Sequence, residues 1–360
     1  MLKKVNIMKI SKKNLGRSAQ TALISCLSKI PFLEIIDIQL TSEETIDQLF
    51  DITTKIRIED RVLNLIAQVK SSGQPRLARE AVNQMLRYKD RVPDANFVFI
   101  APYISPRAAE ICESEGIGYL DLSGNCLLLF DNIFIQKEYY PNQFKEKREL
   151  KSLYAPKAER ILRVLLCNPG KKWKIKELAV ESGVSLGQAS NVKKILFDRE
   201  LISGERGGFS LKDPLTLLRE WAENYDYRRN VIQEFYSFKS VTDIENALAA
   251  YCNTRQIKYA LTGFSGAARI EPAVRYKKAM AYAADFDEEA FSEISLKSVN
   301  SGGNLLLFTP YDEGLFYGTA EVAGIQIASE IQLYLDVQGF RGRGEEAAEV
   351  LYERIADKAW

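Results

Sequence analysis

The 360-residue sequence predicts a multidomain α/β protein, on three observations. Residues 1–140 alternate aliphatic, β-branched runs with segments of helical spacing, the pattern of helices laid against a central sheet. Residues 156–212 place three short helices before a Gly-rich hairpin. Residues 213–360 mix helices with short apolar runs, an α+β order. The charged stretch 141–155, "PNQFKEKRELKSLYA", reads as a linker.

In chain order, "NLGRSAQTALISCLSKIP" predicts a helix that stops before Pro31. "FLEIIDIQLTS", "DITTKIRIED" and "RVLNLIAQVKS" predict three strands, rich in β-branched and aliphatic residues. "QPRLAREAVNQMLRYKD" repeats apolar residues at helical spacing. "ANFVFIAPY" predicts a strand buried on both faces, and "SPRAAEICESEG" a helix capped by serine. "GYLDLSGNCLLLF" and "NIFIQKEYY" predict two more strands. After the three helices and the hairpin, 214–252 reads as helical. "YALTGFSGAARI" and "NLLLFTP" then introduce a mixed region, closed by the helix "GEEAAEVLYERIADKA".

Composition narrows the chemistry. No apolar run approaches the roughly 20 residues of a membrane helix. The basic N-terminus "MLKKVNIMKISKKN" has no apolar signal core, so a cytoplasmic protein with no membrane partner is expected. Five cysteines are scattered without a C-x-x-C pair, which argues against zinc and a disulfide framework and for buried thiols. There is no histidine, which removes Ser-His-Asp and Cys-His nucleophiles and histidine-ligated metals. Charge is uneven although the net is +1. Residues 1–20 carry six basic and no acidic side chains, 156–212 are +6, and 284–360 are −10. One face is expected to meet an anionic polymer and another not.

The order helix, helix, Gly183-Val184-Ser185 turn, helix, hairpin over 156–212 is that of a winged helix-turn-helix. Ser185 is a suitable N-cap for the third helix. Ala189, Val192, Ile195 and Leu196 fall on one face and should pack inward. That leaves Gln188, Ser190, Asn191, Lys193 and Lys194, with Ser185, facing out. Amides can bridge adenine edges, and lysine reaches guanine or phosphate. Arg206 at the Gly-rich hairpin tip suits a groove. Double-stranded DNA is the expected partner, read by a homodimer.

The order of residues 1–140 resembles the PD-(D/E)xK restriction-endonuclease-like fold. In that fold an acidic residue starts one strand and (D/E)-x-K ends the next, holding magnesium and an attacking water. Here Asp51 opens "DITTKIRI", and "AQVK" supplies Gln68 and Lys70. Gln84 and Tyr88 match the Q-x-x-x-Y element of RecB-like nucleases and lie on one side of a helix. Asp51 and Gln68 would be the metal ligands, and magnesium the cofactor if the site works. Gln68 stands where the pattern has Asp or Glu, which removes one negative charge. The expectation is a degenerate nuclease domain and no enzyme activity. The alternative is a magnesium-dependent DNA endonuclease targeted by the winged helix.

Nearly all of residues 50–360 resembles a bacterial family of AbiEi-like antitoxins, transcriptional regulators of type IV toxin–antitoxin systems. "VKSSGQPRLAREAVNQ", "APYISPRAAEICESEGIGYLDLSGN", the winged helix, "YALTGFSGAA" and "IQLYLDVQGFRGRGEEAAEVLYERI" carry this resemblance. It implies an antitoxin-like autorepressor that silences a promoter and counteracts a cognate nucleotidyltransferase-like toxin. In 213–360, "TGFSGAA" loosely resembles a nucleotidyltransferase turn, with Asp285-Phe286-Asp287 following at too long a gap. A tight turn of small residues packing a helix on a sheet is the favoured reading. The acidic tail fits a protein partner, which leaves a third reading, an antitoxin whose DNA binding is only autoregulatory.

Overall fold

A computed structural model describes residues 12–40, 50–89, 91–92, 94–130, 133–143, 153–205, 207–271, 275–284, 293–340 and 342–358. The chain divides into two compact units: residues 1–149 with 198–200, and residues 150–197 with 201–360. Both are mixed α/β.

The first unit is built on seven strands in sequential order: β1 (Leu33–Leu40), β2 (Ile52–Ile58), β3 (Arg61–Val69), β4 (Ala95–Ala101), β5 (Gly118–Asp121), β6 (Cys126–Phe130) and β7 (Ile133–Lys137). Only β3–β4 and β4–β5 pair in parallel. Parallel neighbours need a crossover, and α2 (Pro75–Lys89) and α3 (Pro106–Ser114) supply the two. Along β4 the pleat sends Phe97 and Phe99 to one face and Val98 and Ile100 to the other. The first pair packs with Ala78, Ala81, Val82 and Met85 of α2 and Ala108 and Cys112 of α3. The second packs with Ala19, Leu23 and Leu27 of α1 (Lys12–Leu27). With both faces covered, β4 can be apolar from Phe97 to Ala101.

"GYLDLSGNCLLLF" is not one strand but two. Asp121 ends β5 by accepting from the backbone N–H groups of Ser123, Gly124 and Asn125 at 2.8–2.9 Å, which folds the chain into a turn. The same carboxylate accepts from Asn125 Nδ2 and from the Ile104 N–H.

The second unit begins with α4 (Pro156–Cys167), α5 (Ile175–Glu181) and α6 (Leu186–Asp198), then the antiparallel hairpin of β8 (Ile202–Glu205) and β9 (Gly208–Leu211). It continues through α7 (Pro214–Asn224) into a seven-stranded sheet. That sheet contains β10 (Val231–Tyr236), β11 (Tyr259–Leu261), β12 (Ala279–Ala283), β13 (Lys297–Ser298), β14 (Leu305–Thr309), β15 (Ala320–Val322) and β16 (Ile325–Ile327). Their order is β13-β10-β14-β12-β11-β16-β15. The helical expectation for 214–252 is therefore corrected. "VIQEFY" forms β10 because its β-branched and aromatic residues gain a full ladder against β14, and helix resumes as α8 (Val241–Arg255). α8 covers one face of the sheet through Ile244, Leu248 and Cys252. α9 (Gly263–Ile270) and α10 (Glu330–Gln338) cover the other, with α11 (Arg343–Asp357) outside them.

One core runs from the first three helices of this unit into its sheet layer. Leu162, Leu165, Val192, Leu196, Phe209 and Trp221 belong to the same buried cluster as Ala267, Ile331, Leu333 and Leu351. A buried polar chain parallels it. Glu159 accepts from Trp221 Nε1, Arg229 Nη1 and the Tyr311 hydroxyl. Arg163, fully buried, donates through Nε and Nη2 to Gln332 Oε1. Gln332 donates on to Asp336, which also accepts from Thr262, Tyr225 and Tyr282. Burial, with Asp336 alongside, pushes the Tyr225 and Tyr282 hydroxyls well above their usual range. They stay protonated and so remain donors.

The "TGFSGAA" segment is a packing device. Its Gly263 lies at φ +50, and a Cβ on Gly266 would meet Leu261 O at 2.8 Å and Leu333 Cδ2 at 2.4 Å. Ser265 Oγ accepts from the Met280 N–H, and Thr262 is held by Asp336. Asp285, Phe286 and Asp287 lie outside the described residues.

Candidate nucleic-acid interface

α4 and α5 bury their apolar faces under α6, and the turn between α5 and α6 needs φ +60 at position 183, which glycine adopts without a Cβ clash. Ser185 then caps α6, its Oγ accepting from the Gln188 N–H at 3.2 Å. Ala189, Val192 and Leu196 are buried, and Ile195 packs half-buried against the same core. This fixes the rotation of the helix. Gly187, Ser190, Asn191 and Lys194, spaced i, i+3, i+4, i+7, form a continuous exposed stripe. Gln188 flanks it half-buried. Lys193 turns aside, its ammonium 4.8 Å from the centre of the Phe209 ring.

The hairpin is clamped to the helices by a third extended segment. Trp173 and Phe209 exchange both backbone hydrogen bonds, at 2.7 and 3.0 Å. A Cβ on Gly208 would meet Trp173 O at 2.9 Å, so the close approach requires glycine there. Gly207 has φ +111. Arg206 lies outside the described residues. Lys171, Lys172, Lys174 and Lys176, leading into and opening α5, are exposed, as is Lys194. The surface is cationic, with amide and hydroxyl groups projecting from one helix.

In the first unit, two of the five residues expected at a nuclease site, Gln68 and Gln84, are hydrogen-bonded to each other. Asp51 stands immediately before β2, and its Oδ2 accepts from the Val69 N–H at 2.7 Å. Gln68, at the end of β3, is 6% exposed and donates through Nε2 to Gln84 Oε1 at 2.5 Å. Gln68 Oε1 is buried without a hydrogen-bond partner. Tyr88 sets its ring edge-on to Phe50, with centroids 4.8 Å apart. Gln84 and Tyr88 join Arg87 and Arg91 in lining an open groove of about 210 Å³.

Sequence reasoning missed Glu80. Its Oε1 lies 3.3 Å from Lys70 Nζ, one helical turn before Gln84. The signal was available, since residues 80, 84 and 88 repeat at i, i+4 along one face, but helical spacing alone does not reveal which strand end that face meets. Lys70 is thus charge-paired with Glu80.

The donor set fits magnesium poorly. It offers the Asp51 carboxylate, already accepting an N–H, the Glu80 carboxylate, already ion-paired with Lys70 and Arg76, and one amide oxygen, whereas magnesium takes six oxygen ligands in near-octahedral array. Among the described residues no group of three or more His, Cys, Asp or Glu side chains could hold a metal ion. Asp121, the one buried carboxylate among the described residues of this unit, is consumed by its five donors.

Among the described residues no helix is long and apolar enough to cross a membrane. The molecule is thus a two-unit α/β protein with a cationic helical surface. Residues 210–357 match the model of the family described as "Transcriptional regulator, AbiEi antitoxin, Type IV TA system". That stretch contains "YALTGFSGAA" and "IQLYLDVQGFRGRGEEAAEVLYERI"; the strings quoted from 1–209 lie outside it. No curated protein and no solved structure matches the chain.

Proposed function

We propose that the protein is a DNA-binding transcriptional regulator of a toxin–antitoxin pair, an autorepressor that reads its own promoter through a winged helix-turn-helix over 156–212. The observation that carries this is the exposed stripe on α6, with Asn191 and Lys194 on it and Gln188 beside it, together with the exposed lysines leading into α5. A helix presenting amides to base edges and lysines to phosphates has the chemistry of a major-groove reader. The family of 210–357 supports a regulatory role and a cognate toxin as the protein partner. A homodimer on a two-fold site completes the reading.

The test is a mobility shift on upstream DNA at two salt concentrations. Binding should weaken steeply with salt, because phosphate contacts release counterions. Gln188→Ala with Asn191→Ala should cost about 1–3 kcal/mol per lost bidentate pair and erase the preference over unrelated DNA. Unchanged preference would reassign the recognition helix.

Residues 1–140 we read as a degenerate PD-(D/E)xK domain, with Asp51, Gln68, Lys70, Gln84 and Tyr88 as vestiges of its site. A second reading, a metal-dependent DNA endonuclease, draws support from the orphaned Gln68 Oε1, two residues before Lys70 at the end of β3. Incubating supercoiled plasmid with the protein and manganese distinguishes them. Intact plasmid supports the degenerate domain. Nicking that Lys70→Ala abolishes would make the protein an enzyme.

A further inference from the structure

Cys26, in the last turn of α1, and Cys126, the first residue of β6, place their sulfurs 3.8 Å apart although 100 residues separate them. Both are buried, at 7% and 1% exposure. We propose that Cys26 and Cys126 form an oxidisable thiol pair that hydrogen peroxide converts into a disulfide, stapling α1 to the sheet. A disulfide is about 2.05 Å long, so the sulfurs must close by roughly 1.8 Å.

The surroundings single out this pair. Cys26 shares a hydrogen bond with Cys126, and this holds its thiol below the usual range despite burial, with the Lys137 and Lys29 charges acting in the same direction. Lys137 is the cross-strand partner of Cys126 on β7. Cys112 and Cys252 have no such partner, and burial pushes their thiols up to about 12. Cys167 is pushed up to about 11, again by burial. The thiolate is the nucleophile, and Cys26 is the more exposed of the two sulfur-bearing residues, so oxidation should begin there.

In the first step the Cys26 thiolate attacks one peroxide oxygen. The O–O bond breaks, and the leaving hydroxide takes a proton to become water. Cys26 is then a sulfenic acid. In the second step Cys126 attacks that sulfur, the S–O bond breaks, and the hydroxyl leaves as a second water with the Cys126 proton. Two thiols lose two electrons, and one peroxide is reduced to two waters.

The experiment treats the reduced full-length protein with hydrogen peroxide, quenches it by alkylation, and maps peptides by mass spectrometry without reductant. The expected result is a Cys26–Cys126 cross-linked peptide and a mass loss of about 2 Da for the intact chain. Dithiothreitol should reverse both. Cys26→Ser and Cys126→Ser should each abolish the cross-link, whereas Cys112→Ser should not. Oxidised wild-type protein should also unfold several degrees higher, because the staple constrains the unfolded chain. Cys26 recovered as sulfinic acid or unmodified, with no cross-link, would overturn the proposal; this outcome is read on wild-type protein and does not depend on a variant folding.

Discussion

Asp121 accepts five hydrogen bonds from the turn it closes and from Ile104. Replacing it by Ala leaves several N–H groups without partners, at about 1–3 kcal/mol for each buried one. Asp121→Ala should lower unfolding stability by about 3 kcal/mol or more, read by urea denaturation. A loss below about 1 kcal/mol would free this carboxylate for chemistry. Glu330 works differently. It is half-buried, and burial alone would raise its pKa, but hydrogen bonds from Lys358 and Arg354 hold it below its usual value. A depressed carboxyl stabilises the fold above its unfolded pKa and loses that contribution as pH falls through the folded one. Glu330→Gln should therefore cost about 0.5–1 kcal/mol at pH 7, a figure reduced for the half-exposed Lys358. Thermal denaturation across pH 2–7 should show the difference shrinking below about pH 4.3. A pH-independent difference would assign the effect to packing.

At the scale of elements, α6 shows how local rules converge. The Gly183 turn, the Ser185 cap and the apolar positions 189, 192 and 196 all follow from sequence and occur together in the structure. They rotate the same face outward that spacing assigns. Lys193 departs because Phe209, brought in by the hairpin, offers an aromatic face to its ammonium. Gly73 plays the corresponding part in the first unit: a Cβ there would meet Tyr103 O at 2.2 Å. The "KSSGQP" turn can therefore pass between β3 and α2 only with glycine, and it delivers Lys70 toward Glu80.

At the scale of the molecule, the three-helix segment and hairpin share their core with the sheet layer of the same unit, and Arg163 is buried against Gln332. A fragment of residues 150–212 would expose Leu162 and Leu165 and leave Arg163 and Glu159 unpaired. We expect that fragment to lack a cooperative thermal transition by circular dichroism, whereas 150–360 should melt in one step. A folded fragment would show the segment to be autonomous. The features legible along the chain are local. Helix caps, glycine turns, period-2 and period-3.6 burial, the exposed stripe of α6 and the shortage of carboxylates at Gln68 all depend on near neighbours along the chain. Which distant groups meet is set by folding in three dimensions. β10 formed in a stretch that reads as helical, because β14 supplied its ladder. Glu80 reached Lys70, Arg163 found Gln332, and Cys26 came to lie beside Cys126. These pairings depend on long-range packing, which no sequence period encodes.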